Sequence, residues 1–245
     1  MIESDIRTFW KLFQSIISFF ATANKQLGIL RQTQLTIFKK TTALTAAGKT
    51  RWGTQYRSIV ALLASEEPLK MYAGDVRAEV SNSIRDLIQD RSFWAKLRSL
   101  ETLLQPLHEW QLMSESNHHT LDKVYPQWID LKEHLSKLAK SGAGPFAHEI
   151  DAYLKREKSG WVSRFERQCL PVHMVAYLLK PANRATWKSF TKGDQEKVID
   201  FLDKFGGSRV LIEFYDYLEQ TADFHSSNKF WDKDNDLKLF WRIAT

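Results

Sequence analysis

With 245 residues, 43% of them apolar, and with nine Trp and fifteen Phe, the chain has the means to bury a sizeable core, which excludes a disordered or low-complexity polypeptide. Ten Gly and six Pro are few for this length and disfavour a many-turned all-β fold, while the lone cysteine, Cys169, excludes an intramolecular disulfide framework and suits a reducing compartment. The net charge of +6 is unevenly spread: the window from Ile6 to Ser65 carries nine Lys or Arg and no Asp or Glu, hence +9, which leaves −3 for the rest of the chain.

Taken in order, Ile6, Phe9, Trp10, Phe13, Ile16, Ile17 and Phe20 recur at helical spacing, with Asp5, Arg7, Lys11, Gln14 and Ser18 largely opposite. Part of this stretch, Leu12 to Ala23, has the look of an export signal ending in Ala-Thr-Ala. Gln14, Ser15 and Ser18 interrupt it, however, and Glu3 and Asp5 cancel the positive n-region that export requires. No run approaches the roughly 20 apolar residues of a membrane span, so the expectation is an intracellular, soluble protein. Leu27, Leu30, Gln34 and Ile37 predict a second helix after a break at Asn24. Phe38 to Arg51 is Thr-rich and predicts a strand or hairpin arm, after which helical periodicity resumes at Tyr56, Ile59, Leu62 and Leu63.

A long amphipathic segment comes next, through Phe93, Leu97, Leu100, Leu104, Leu107 and Trp110, with Pro106 predicted to kink it or end its regular hydrogen bonding. Thr120 is placed to cap a helix carrying Leu121, Val124, Trp128, Leu131, Leu135 and Leu138. Ser141-Gly142-Ala143-Gly144-Pro145 is the clearest break. Further helices are predicted at Phe146 to Lys155, Trp161 to Leu179, Asp194 to Phe205 and Arg209 to Gln220, the last two separated by Gly206-Gly207. The fold class read from this pattern is mostly α.

A local positive field attracts polyanions in a salt-dependent manner. Phosphoryl-transfer nucleases hold their metal ions with carboxylates, and the basic window has none, so it reads as a surface that contacts nucleic acid without cutting it. The candidate cations around its centre are Lys39, Lys40, Lys49, Arg51 and Arg57; the plainer alternative is a solvated charged face. Cys169 and His173 stand four apart on a predicted helix, but zinc requires about four ligands, so a small buried cysteine is the expected role. His118-His119 falls in a polar turn and is expected at the surface. No glycine-rich phosphate loop, nucleophile elbow or Cys-x-x-Cys pair is present, and no small-molecule substrate is implied.

Several ordered fragments resemble one family. Thr50-Arg51-Trp52-Gly53-Thr54-Gln55-Tyr56, with Leu62-Leu63 and Pro68-Leu69 after it, resembles the Thr-Arg-Trp-[small]-Ser-x-Tyr element of hAT (hobo–Activator–Tam) superfamily transposases, which opens a helical insertion in a ribonuclease H-like domain. Ile16 to Phe20 and Leu27 to Gln34 are similar to the helix pair before that element. Phe93-Trp94 through Leu104-Gln105-Pro106-Leu107, then Glu115-Ser116, Thr120-Leu121 and Val124-Tyr125, are similar to the segments after it. Ala176 to Pro181 resembles a later element with Lys180 in place of the usual Asp, and Glu213, Tyr217, Phe224 and Phe240-Trp241 resemble the run approaching the family's dimerisation region.

The resemblance implies an all-α insertion domain over residues 53–205. It would be flanked by remnants of a ribonuclease H-like α/β fold, over residues 1–52 and again over 206–245, where the C-terminal region begins. It implies DNA as partner, with a homo-oligomer or partner chain, and a nuclear location. Within the family Trp52 corresponds to a residue that stacks on a flipped base; as structure alone, a Trp at a helix start is a core anchor. Glu213 matches the family's catalytic Glu, with Glu219 as the competing choice, while the two catalytic Asp have no counterpart. Asp5-Ile6 matches the end of the segment that carries the second Asp, so the expectation is an interior portion of a transposase. It would lack catalysis and hold no cofactor of its own, whereas the family uses divalent metal (Mg).

Overall fold

The computed structural model describes residues 2–46, 48, 52–116, 120–142, 144–221 and 224, with residues 2–6 and 52 described in backbone alone. It is mostly helical, and no strand occurs among the described residues. The chain divides into two compact units, one of Met1–Glu115 with His134–Leu154, the other of Ser116–Glu133 with Lys155–Thr245.

The first unit contains α1 (Ile2–Thr22), α2 (Asn24–Phe38), α3 (Trp52–Leu63), α4 (Glu66–Gly74), α5 (Asn82–Gln89) and α6 (Arg91–Ser114). It also takes the later part of α7 (Val124–Ser141) and all but the last residue of α8 (Ala147–Lys155). The apolar stripe of α1 lands as its spacing requires: Phe13, Ile16, Ile17 and Phe20 are at most 1% exposed, and Phe9 packs on Phe93 with ring centroids 5.3 Å apart. α2 lies against α4, and α3 runs along α6. Two capping side chains fix the entry of the chain into α5 and α6. Ser81 Oγ accepts from the Ile84 amide at 3.4 Å, and Asp90 Oδ1 from the Ser92 amide at 2.7 Å. The Trp94 indole is fully buried and satisfies its N–H on the Ile88 carbonyl at 2.7 Å.

The second unit holds the 3₁₀ turn Leu121–Lys123, the start of α7, α9 (Trp161–Gln168), α10 (Pro171–Leu178), the 3₁₀ helix Pro181–Ser189 and α11 (Lys192–Glu219). Its core gathers Met174, Val175, Leu178, Val198, Phe214 and Tyr217. The Tyr217 hydroxyl donates to the Leu178 carbonyl at 2.9 Å, so this buried polar atom has its partner. α11 is interrupted at Gly207, whose φ of 67° and ψ of −164° are non-helical, so Gly206-Gly207 separates two arms as the sequence predicts.

Three local expectations need correction. Among its described residues the Thr-rich stretch forms no strand: residues 41–46 are irregular, because side chains of the flanking helices take its backbone hydrogen bonds. α6 runs on past Pro106, which lies inside the helix and, lacking an amide hydrogen, leaves one bond out of its ladder. Thr120 caps nothing with its side chain and precedes a 3₁₀ turn rather than α7 itself. The helix read over Trp161 to Leu179 is two, because Pro171 drives Leu170 out of the helical region (φ −75°, ψ 156°) and starts α10 at its first position.

Candidate nucleic-acid interface

The connection from α2 to α3 carries the densest part of the basic window. It begins at Lys39, the C-cap of α2, whose φ of 56° is left-handed and whose amide closes on the Leu35 carbonyl at 3.1 Å. Lys39 Nζ folds back onto the Thr36 carbonyl at 3.1 Å, and both Lys39 and Lys40 are exposed.

Beyond Lys40 the described residues of the connection form no ladder of their own. Gln34, on the buried face of α2 and 1% exposed, reaches both backbone groups of Thr42: Nε2 donates to its carbonyl at 2.9 Å and Oε1 accepts from its amide at 3.2 Å. The same Nε2 donates to Ser65 Oγ at 3.1 Å, a hydroxyl whose residue is itself fully buried. Ser58 Oγ on α3 donates to the Thr45 carbonyl at 2.5 Å, and Thr54 Oγ1 accepts from the Gly48 amide at 2.8 Å. Three side chains from the two flanking helices therefore take the backbone groups that a neighbouring strand would otherwise take. This is why high β propensity did not produce a strand here.

Helix α3 begins at Trp52 with no acidic residue in its first turn, so the positive end of its dipole is uncompensated. Gly53 is buried against α6, where a Cβ would stand 3.1 Å from Gln111 Oε1 and 3.2 Å from His108 Nδ1. Tyr56 stacks on the His108 ring at 4.6 Å, and burial, with Glu101 and Glu109 nearby, raises its hydroxyl pKa. Arg57, the next residue, is exposed.

Of the expected contact residues, Lys39, Lys40 and Arg57 are thus solvent-facing on elements tied to one another by this clamp. Lys49, Arg51 and the Trp52 side chain lie outside the described residues, as do His118-His119 and Phe240-Trp241. Within the window, Lys25 pairs with Glu79 from outside it at 2.5 Å, with both side chains 70% exposed. The clamp residues are not marked by charge or motif in the sequence. The available signal was Gln34 itself, a polar residue occupying an apolar position in the stripe Leu27, Leu30, Ile37.

Glu213 is exposed on the second arm of α11, and its carboxylate accepts from Arg209 Nε at 3.1 Å. Glu219, also exposed, ends the helix. No group of three or more His, Cys, Asp or Glu suited to a metal occurs among the described residues, and a carboxylate already paired with an arginine does not fit the multi-oxygen cage that divalent metal requires. Cys169 is 3% exposed, and burial pushes its thiol up to about 12. Cys169 lies just past the end of α9, whereas His173 sits in α10 and accepts the Leu170 amide on Nδ1 at 3.1 Å. Cys169 is accordingly a core residue. No helix of the described residues is long and apolar enough to cross a membrane.

Compared with family models, curated proteins and solved structures, the chain matches none.

Proposed function

We propose that the chain is an hAT transposase-like protein that binds DNA in the nucleus without cutting it, alone or beside a partner chain. The single observation that carries the reading is the α2–α3 connection: a basic, carboxylate-free stretch whose backbone is held at Thr42, Thr45 and Gly48 by Gln34, Ser58 and Thr54. A positive surface attracts phosphates, and one held in place loses less entropy on binding than a free loop. Lys39, Lys40, Lys49, Arg51 and Arg57 supply phosphate contacts in this reading, and Trp52 supplies a stacking face for a base.

Titration of labelled duplex DNA at several salt concentrations tests it. The expected outcome is a binding constant that falls linearly with salt on a double-logarithmic plot, with a slope of about −0.9 per phosphate contact. Arg51→Ala should flatten that slope by about one contact, while Trp52→Ala should weaken binding by roughly 1–3 kcal/mol per stacked base with the slope nearly unchanged. Binding that does not respond to salt, or a folded Trp52→Ala protein that binds like the parent, would overturn the respective assignments.

A second reading is a domesticated helical module that binds another protein through apolar surface. The exposure of Phe205 (78%) and Ile212 (63%) favours it. A mainly hydrophobic interface would respond little to the same salt series.

A further inference from the structure

Helix α2 carries a glycine in its interior, Gly28, that its own packing does not require. A Cβ built there would meet no atom within 4 Å, and the residue is exposed and has no positive φ. Gly53 differs, because His108 and Gln111 crowd it. Gly74 and Gly193 are as open as Gly28, but they stand in the end turns of α4 and α11, where a helix loses little by them. Among the described residues, Gly28 is thus the one glycine inside a helix with neither a crowding neighbour nor a break to explain it. Such a glycine destabilises a helix relative to alanine, and one use that offsets this is the close approach of a ligand to the backbone.

We propose that a DNA phosphate backbone crosses the exposed face of α2 at Gly28 and draws Lys25 away from Glu79. The inference rests on the DNA-binding reading and extends it from the α2–α3 connection to the helix before it. Residues three and four positions away surround a given residue on a helix surface. Around Gly28 these are Asn24, Lys25, Arg31 and Gln32, all of them exposed. Each can donate hydrogen bonds and two are cationic, so the missing side chain leaves a shallow dimple ringed by groups that suit a phosphate. Neither α2 nor α3 contains an Asp or Glu to compete for them. Lys25, Gln32 and Lys39 are spaced seven apart and share one face, which leads into the basic connection about 21 Å further along the helix axis.

Lys25 already has a carboxylate against it, and the buried side of the same helix puts it there. Gln26 Oε1 accepts from the Glu79 amide at 3.2 Å and from the Tyr72 hydroxyl at 2.7 Å. Gln26 is 4% exposed, so the backbone of Glu79 is fixed to α2 while its carboxylate reaches Lys25 in open solvent. An ion pair between two side chains that are each 70% exposed is weak. A phosphate arriving at Gly28 can therefore replace the carboxylate, and Glu79 acts as a built-in competitor for the same cation.

Titration of labelled duplex DNA at several salt concentrations, on the full chain and its variants, tests the proposal. Gly28→Gln fills the dimple with an uncharged side chain for which the free protein has room, so its Tm should equal or exceed the parent's. Its DNA binding at fixed salt should weaken about fivefold or more, because the added side chain stands where the backbone would lie. Gly193→Gln, at an equally open glycine of the second unit, should bind like the parent. Arg31→Ala should flatten the salt dependence by about one contact. Glu79→Gln should tighten binding about threefold, the size of an exposed ion pair, and steepen the salt dependence. A folded Gly28→Gln protein that binds like the parent would overturn the proposal, as would a Gly193→Gln protein weakened to the same extent. Glu79→Gln with the parent's affinity and slope would overturn the part assigned to Lys25. If Arg57→Ala flattens the slope while Gly28→Gln and Arg31→Ala bind like the parent, DNA binding stands and the α2 face is not its site. Binding by the parent that does not respond to salt overturns both.

Discussion

Gln34 grips Thr42 by both of its backbone groups, donating to the carbonyl at 2.9 Å and accepting from the amide at 3.2 Å. Replacing it with Leu keeps the volume and apolar burial but leaves the Ser65 hydroxyl and two Thr42 groups without this partner. A buried polar group left unsatisfied costs roughly 1–3 kcal/mol. Gln34→Leu should therefore lower stability, read from urea denaturation, by an amount in that range. DNA affinity at fixed salt should fall even where the variant is fully folded, because the basic connection is released. A folded variant with the parent's affinity would separate the clamp from binding.

Lys39 offers a substitution in which charge and stability move in opposite directions. Its left-handed φ of 56° is a conformation that glycine adopts without strain. Lys39→Gly should relieve roughly 1–2 kcal/mol of left-handed strain, offset by about 0.4–1 kcal/mol of added unfolded-chain entropy and by whatever the exposed Nζ bond to Thr36 contributes, so stability should rise slightly or stay unchanged. The same change should flatten the salt dependence of DNA binding by about one contact. Thermal melts and salt titrations on one preparation read both.

The break in α11 requires its two glycines for different reasons. Gly207 has φ 67° and ψ −164°, a region essentially closed to other residues, and a Cβ on Gly206 would run into the Val210 side chain, its Cβ 3.1 Å away. Gly207→Ala should cost roughly 1–3 kcal/mol through backbone strain. Gly206→Ala should cost a comparable amount through the clash, and Val210→Ala should recover part of it. A double-mutant cycle in denaturant should show coupling for the 206–210 pair and none between Gly207 and Val210.

Alkaline pH should weaken the second unit. Burial pushes Cys169 and Tyr125 up to about 12 and raises Tyr217 further. In the unfolded chain thiols and phenols of these types ionise near roughly 8.5 and 10. Between those values and the folded ones the native state holds protons that the unfolded state has released, so stability falls as pH rises, from about pH 8.5 upward. At the acid end the sign reverses. The Arg77 guanidinium hydrogen-bonded to Asp75 holds that carboxylate down at about 2, so its small, exposed contribution is present above about pH 4 and is lost toward about pH 2. Tm measured from about pH 7 to 11 should decline with the onset set by the thiol, and Cys169→Ala should move that onset toward the tyrosine range.

Much of the fold was legible because burial in helices leaves a regular mark. The stripe of α1 and the pairs Phe93-Trp94 and Leu97-Leu100 follow helical periodicity, and all four of these partners on α6 are buried. The break at Gly206-Gly207 was legible because those residues have a specific backbone consequence. The described residues of the Thr-rich connection form no strand because β propensity records how a side chain fits a sheet, and carries no information about whether a second strand exists. Pro171 was readable in principle, since the residue before a proline avoids the helical region, but the apolar spacing on either side ran through it. The basic residues of the candidate site could be found by counting. The clamp could not, because Gln34, Ser58 and Thr54 find their partners only once α2 and α3 are packed.

The side chain of Gln34 offers the same donor and acceptor as the peptide group of an adjacent strand. At Thr42 it fills the place where an incoming chain would begin to pair. Extended, β-prone backbone with open hydrogen-bonding groups is the usual seed of intermolecular sheet growth. One carboxamide held inside the fold thus blocks that seed at its centre, and with Gln34 gone a fibril-sensitive dye should begin to report on the segment.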